Sequence, residues 1–394
     1  MHVKICYVVD NISFRGGERT FAQLVLGLDS RHYEIHAICS PGGRFVDVLE
    51  TAGVPVFPVD MRNKWNLPGL LPMTRYLRQH RFDIVHTQGR GDPFGRIAAR
   101  LAGVPLVIST PAMIVSRYWG AGLGRRLLYR IIDRVTDPLV DQCIVVNHES
   151  VDTLVRDHGV PRDRIAVILN GIEFERYAPS PAARAAWRGR WHLSDDEPAV
   201  GAIGKLTWQK GFEYLIRAWP QVRAQVPNAR LFILGEGELE SELTTLAAEL
   251  GVAGSCTFTG FEPNVPEALA GLDVFALPSL VEGLPMVLLE AMAAGKPIVA
   301  SRIAGSLEAI TDGLDGLLAT AGDADALAAL LIELIRSPHL AAQLSAAAQH
   351  TARQRFTVER MVRETEALYQ RLLAQRRANA TQQRSAPARR QPSL

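Results

Sequence analysis

The chain has 394 residues, 47% of them hydrophobic, and a net charge of +2 at pH 7. That length suits two or three domains with full cores. The near-neutral balance excludes a global electrostatic pull towards nucleic acid or anionic lipid. Cys6, Cys39, Cys143 and Cys256 lie far apart with no disulfide or metal-ligand spacing, which predicts a reducing cytoplasmic setting and no structural metal. The opening "MHVKICYVVD" is too short in apolar residues for a signal peptide and reads as a first strand. No apolar run is long enough to span a bilayer.

Along the chain, "VKICYVV", "EIHAIC", "FDIVHT", "PLVIST" and "QCIVVN" predict buried strands, separated by helical stretches such as "ERTFAQLVLGL" and "GRIAARLAG". This βαβ rhythm predicts a parallel, doubly wound α/β sheet. After "RIAVILNGI" it falters at Tyr177–Pro198, "YAPSPAARAAWRGRWHLSDDEP", which reads as a polar, Pro-containing, arginine-rich linker. "AVGAIG", "RLFILG", "CTFTG", "DVFALP" and "PIVAS" then restart it. Two Rossmann-like domains are expected, 1–175 and 176–352, with their strand ends presented to a cleft between them. A helix over 353–375, "RFTVERMVRETEALYQRLLAQ" in its surroundings, is expected to pack back on the first domain. Residues 376–394 read as a disordered basic tail, since they carry five arginines and no core residues.

Three stretches carry chemistry. In "PAVGAIGKLTWQKGF", Gly201 and Gly204 allow a tight turn, and Lys205 and Lys210 flank the loop that opens a helix from Gly211. Helix amino ends attract anions, so this is a diphosphate cradle or an ordinary βα turn with surface lysines. "LFILGEG" repeats the theme with Gly235 and Gly237. "EGLPMVLLEAMAAGKP", from Glu282 to Pro297, is the most specific. Pro285 starts a helix that is apolar all round, and Gly295–Pro297 stops it. Gly283 and Leu284 offer backbone amides beside the helix start, suited to a phosphate or a sugar hydroxylate. Glu290 sits roughly one and a half turns into the helix, where a carboxylate is costly unless hydrogen-bonded. A vicinal diol such as a ribose would satisfy it, and so would amides of a neighbouring loop.

These stretches, together with "FTGFEPNVPEALAGLDVFALPSLVEGLPMVLLEAMAAGKPIVASRIAGSLEAITDGLDGLL", "FRGGERTFAQLVLGL" and "HTQGRGDPFGRIAARLAGVPLVIST", resemble retaining glycosyltransferases of family 4, with the GT-B fold. The resemblance covers almost the whole chain except the tail. It implies transfer of a sugar from a nucleotide diphosphate sugar to an acceptor hydroxyl with retained anomeric configuration. No metal or cofactor is implied at the diphosphate, the nucleotide sugar being a substrate. The glutamate pair of the family motif maps to Glu282, facing the sugar, and Glu290, holding the ribose. Lys205, Lys210 and the start at Gly283, Leu284 and Pro285 would stabilise the leaving diphosphate. Gly204 and Gly235 would shape the donor loops, and Gly16 and Gly17 would let the amino-terminal loop approach the phosphates.

The chain departs from the family at two places. Lys205 stands where the family commonly has arginine, keeping charge and losing the planar fork. Thr110 is followed by Pro111 and Ala112, where the family usually carries a histidine two residues on. His86 of "DIVH" is present, and Gln88 replaces a second histidine. His86, Gln88, Thr110 and Arg117 are the acceptor-side candidates. The segment Ile114–Arg130, "IVSRYWGAGLGRRLLYR", mixes aromatic and basic residues, suiting either an acceptor or an anionic membrane surface on the cytoplasmic face, or a solvated basic helix. The expected partners are a nucleotide-sugar donor and a saccharide or lipid-linked acceptor in surface polysaccharide, lipopolysaccharide or glycolipid synthesis. The alternative is a non-catalytic member that binds a nucleotide sugar or acts as a scaffold. A nicotinamide dehydrogenase is disfavoured, because no G-x-G-x-x-G follows the first strand.

Overall fold

In the computed structural model of the chain, residues 2–9, 14, 16–61, 67–89, 92–111 and 123–385 are described. The chain divides into two units, each built on one parallel sheet. The first takes Met1–Val145, Leu154–Ile168 and Glu359–Leu394. Its strands are β1 (Val3–Val9), β2 (Tyr33–Cys39), β3 (Val56–Pro58), β4 (Ile84–Gln88), β5 (Leu106–Thr110), β6 (Gln142–Val145) and β7 (Ile165–Val167). They lie in the order β3-β2-β1-β4-β5-β6-β7. Continuous apolar runs suit strands covered by helices on both faces, and Ile5 to Val9 are at most 1% exposed.

The second unit takes Val146–Thr153 and Leu169–Val358. Its strands are β8 (Ala199–Ile203), β9 (Arg230–Leu234), β10 (Cys256–Gly260), β11 (Val274–Leu277), β12 (Ile298–Ser301) and β13 (Leu317–Ala319), in the order β10-β9-β8-β11-β12-β13. In both sheets the winding reverses beside the first strand, between β1 and β4 and between β8 and β11. Ligands in such sheets sit beyond the carboxyl ends at that reversal.

The structure differs from the sequence expectations at the joins. The division falls after Ile168 and after Val358, and Val146–Thr153 belongs to the second unit. The Tyr177–Pro198 stretch is no linker. Ser180 caps a helix over Pro181–Arg190, its Oγ accepting from Ala183 N at 3.2 Å. Trp187 is fully buried against Phe232, with ring centroids 4.8 Å apart. The arginines that made this stretch look solvated are binding groups. Arg184 donates to Asp273 Oδ1 at 2.7 Å and Arg188 to Asp273 Oδ2 at 3.1 Å. The final helix, Val358–Ser385, runs on through the first half of the expected tail, because "RRANATQQRS" holds good helix formers and no proline. Residues 386–394 lie outside the described residues. Among the described residues, no single helix is long and apolar enough to cross a membrane.

Candidate functional site

In the second unit, the loops that follow β8 and β11, the two strands at the reversal, bring Lys210 and Glu282 together. β8 leads into Gly204, whose N–H donates to Leu234 O at 2.9 Å. Gly235, at the end of β9, has φ +142, and a Cβ there would overlap Gly204 O. Only glycine permits this approach, so the two turns lie back to back. The stem of Lys210 runs over Gly204, where a Cβ would lie 3.4 Å from Lys210 Cδ and Cε. Lys210 ends the short turn Trp208–Lys210, and left-handed Gly211 then opens the helix Phe212–Gln225.

From this position Lys210 Nζ donates to Glu282 Oε1. Ser279, the second residue after β11, donates its hydroxyl to the same oxygen at 3.0 Å. Ser279 is fully buried, and the lysine and glutamate side chains are 23% and 15% exposed. The pair is therefore more shielded than a surface ion pair and still reachable. Lys205 does not join it. Its Nζ lies 3.5 Å from Glu238 Oε2, with both side chains well exposed.

Beyond Glu282, Leu284 is buried and Pro285 takes an extended conformation, φ −71 and ψ 114, to start the helix Met286–Ala293. Pro285, its N-cap residue, supplies no side-chain cap. The partial positive charge of the helix start therefore lies one short loop from the Lys210–Glu282 pair. Gly283 O accepts from the Asn147 side chain at 2.6 Å. Glu290 is buried in the helix, 2% exposed.

The first unit presents a different set. His86 is fully buried. Its Nδ1 lies 2.5 Å from Tyr369 Oη and its Nε2 lies 2.7 Å from Thr110 Oγ1. Tyr369 Oη is in turn 3.2 Å from Tyr7 Oη. Burial pushes the His86 imidazole down to about 3, so it is neutral, with one nitrogen donating and one accepting. Burial raises both phenols, Tyr7 and Tyr369. Both ring nitrogens are thus taken by hydroxyls, and Thr110 is the less buried of the two partners. Gln88 ends β4 beside Val9 and Thr110, and its buried Oε1 has no hydrogen-bond partner among the described residues. Gly16 and Gly17 begin the helix Gly16–Gly27, where Gly16 O accepts from Thr20 Oγ1 at 2.8 Å. Arg117 lies outside the described residues, as do Ile114–Gly122.

Sequence reading missed Ser279, Asn147 and Tyr369. Ser279 had a faint signal, a hydroxyl three residues before the acid. Asn147 and Tyr369 had none, because their partners are 136 and 283 positions away. Among the described residues, no three His, Cys, Asp or Glu side chains gather as a metal site.

Two doubly wound sheets, one with a lysine–glutamate pair beside a helix start at its reversal, define a GT-B glycosyltransferase-type architecture. The family described as Glycosyltransferase Family 4 matches residues 14–176, and Glycosyl transferases group 1 matches residues 183–351. The GDP-mannose-dependent alpha-(1-6)-phosphatidylinositol monomannoside mannosyltransferase of Mycobacterium tuberculosis is 31% identical over 78% of this chain and 78% of its own length. The UDP-Gal:alpha-D-GlcNAc-diphosphoundecaprenol alpha-1,3-galactosyltransferase of Escherichia coli is 27% identical over 84% of this chain and 88% of its own. Anabaena HepE, crystallised with UDP and glucose, shares the fold at a TM-score of 0.82 with 22% identity, over 94% of this chain and 100% of its own. The chain belongs to the group 1, family 4 glycosyltransferases.

Proposed function

We propose that the protein is a retaining, metal-independent hexosyltransferase that takes its sugar from a nucleoside diphosphate sugar. Its product would be a surface polysaccharide, lipopolysaccharide or glycolipid. The observation that carries this reading is the Lys210–Glu282–Ser279 set beside the amino end of Met286–Ala293. An ammonium group has three donors. One meets Glu282, and the others are available to the diphosphate. Lys210 and the helix start then stabilise the charge that develops on the leaving group. Glu290 accepts from the ribose hydroxyls. Glu282, oriented by Ser279 and Lys210, places the sugar. The bond from the anomeric carbon to the diphosphate breaks as the bond to the acceptor oxygen forms on the same face. The acceptor proton passes to a phosphate oxygen, so no separate base is required.

The relatives support the substrate class. The E. coli enzyme is named for UDP-Gal and an undecaprenol-linked acceptor, the mycobacterial one for GDP-mannose and a phosphatidylinositol mannoside. Both acceptors are lipid-borne, and the bases differ. Accordingly, we place the protein in the cytoplasm with a peripheral contact on anionic lipid. On the helix Leu123–Thr136, Leu127, Ile131 and Val135 form an i, i+4, i+8 stripe that is 60%, 52% and 67% exposed, in a sequence carrying Arg125, Arg126, Arg130 and Arg134. An apolar stripe among basic residues fits a headgroup layer.

The test is turnover of UDP- and GDP-hexoses with a polyprenol-linked saccharide on anionic vesicles, with and without chelator, and the product anomer read by NMR. Retained configuration in the presence of chelator is expected. An inverted product, or activity that vanishes with the chelator, overturns the mechanism. No transfer from any donor overturns the enzymatic reading.

A further inference from the structure

We propose that Asn147 is a positioning residue that aims the Leu284 amide at the donor diphosphate, an inference resting on the nucleotide-sugar reading above. Asn147 lies in Val146–Thr153, a short piece of chain that joins the second unit while the residues on either side of it belong to the first. The side chain is buried, 3% exposed. Its orientation is set by its partners. Oδ1 accepts from Ser150 N at 2.8 Å, which leaves Nδ2 to donate to Gly283 O at 2.6 Å. The flipped amide would set donor against donor and acceptor against acceptor.

A second wall confines the same carbonyl. A Cβ at Gly305 would lie 2.7 Å from Gly283 O and 3.1 Å from Glu282 Cβ. A side chain at position 305 would therefore push the loop aside, and the bare glycine lets the carbonyl settle between its backbone and Asn147. The Gly283–Leu284 peptide is planar and trans, so its N–H points opposite to its C=O. Fixing Gly283 O towards Asn147 thus fixes Leu284 N–H on the other side of the peptide, at the amino end of Met286–Ala293. An amide held by a buried hydrogen bond needs no reordering when an anion arrives, which is the benefit of preorganisation. Asn147 touches no substrate in this account. It acts through Gly283.

The prediction separates phosphate recognition from nucleoside recognition, because Glu290 holds the ribose independently. Calorimetric titration of UDP, GDP, uridine and guanosine is carried out on the full chain, on Asn147→Ala and on Asn147→Asp. The ratio of diphosphate to nucleoside affinity is expected to fall about tenfold in Asn147→Ala, the scale of one hydrogen bond. It should fall further in Asn147→Asp, where a carboxylate faces the carbonyl. Gly305→Ala, which presses the same carbonyl from the other side, should lower the ratio as well and serves where the Asn147 variants fold poorly. An unchanged ratio in variants that fold overturns the inference, whatever happens to melting temperature. If the parent binds neither UDP nor GDP, the nucleotide-sugar reading falls first and takes this one with it.

Discussion

The two sheets reverse their winding at corresponding places and put different chemistry there. At β8/β11 the reversal carries an ammonium group, a carboxylate and a hydroxyl on loops, partly open to solvent. At β1/β4 it carries a neutral histidine on β4, locked between two hydroxyls, with a tyrosine from the carboxyl-terminal helix sealing it. The same architecture can thus serve as a place for charge or as a rigid wall. The deciding factor is whether the polar groups find partners inside the fold. His86 spends both ring nitrogens on protein groups. Lys210 spends one donor of three.

This contrast can be broken most directly at turnover. Lys210→Ala should lower kcat by roughly 10²–10³-fold, the scale for removing one preorganised charge donor. Glu282→Ala should also act mainly on kcat and spare nucleoside diphosphate affinity. Thr110→Val should cost far less. A Thr110 variant as damaging as Lys210→Ala would show that the first reversal is chemical too.

The next effect belongs to Glu290. Replacement with alanine should weaken nucleoside diphosphate binding by about 1–3 kcal/mol, the range for charged hydrogen bonds. If calorimetry shows parental affinity and only the melting temperature falls, the buried acid is part of the scaffold and the second site is smaller than drawn.

The pH dependence of stability sharpens the other side. The His86 pKa is about 3 in the folded chain, below its ordinary value. The unfolded chain therefore binds more protons in that window, and stability is full above the unfolded pKa and lost as pH falls through it. Between pH 6.5 and 5 the loss should be about 2 kcal/mol, from 1.4 kcal/mol per unit. His86→Gln should flatten this slope in urea titrations. An unchanged slope would mean that another group dominates acid unfolding.

The smallest effect is expected at Lys205. Its exposed pair with Glu238 should be worth less than about 1 kcal/mol of stability. Lys205→Ala should leave the melting temperature near the parent's and lower diphosphate affinity less than Lys210→Ala does. A reversed ranking of the two lysines would relocate the anion contact to the β9 side of the loop.

Much of this protein was legible from sequence alone. The longer strands follow from apolar runs and the helices between them from their periodicity, because burial on both faces is a local compositional signal. The Glu282 and Glu290 pair stood out because an acid inside an all-apolar helix demands a partner. Tertiary structure alone decided who the partners are. Glu282 is met by Lys210 from 72 positions away, and His86 by Tyr369 from 283 away. No local rule ranks Lys210 above Lys205, since both are lysines on one loop. The three-residue strands Val56–Pro58 and Leu317–Ala319 were too short to show a period. Tyr177–Pro198 looked like a linker because its arginines read as solvated. Arg184 and Arg188 are instead bonded to Asp273, and those bonds exist only once the sheet has brought the start of β11 beside the helix. Composition and spacing specify which groups need partners. Only folding over long separations determines which groups meet that need.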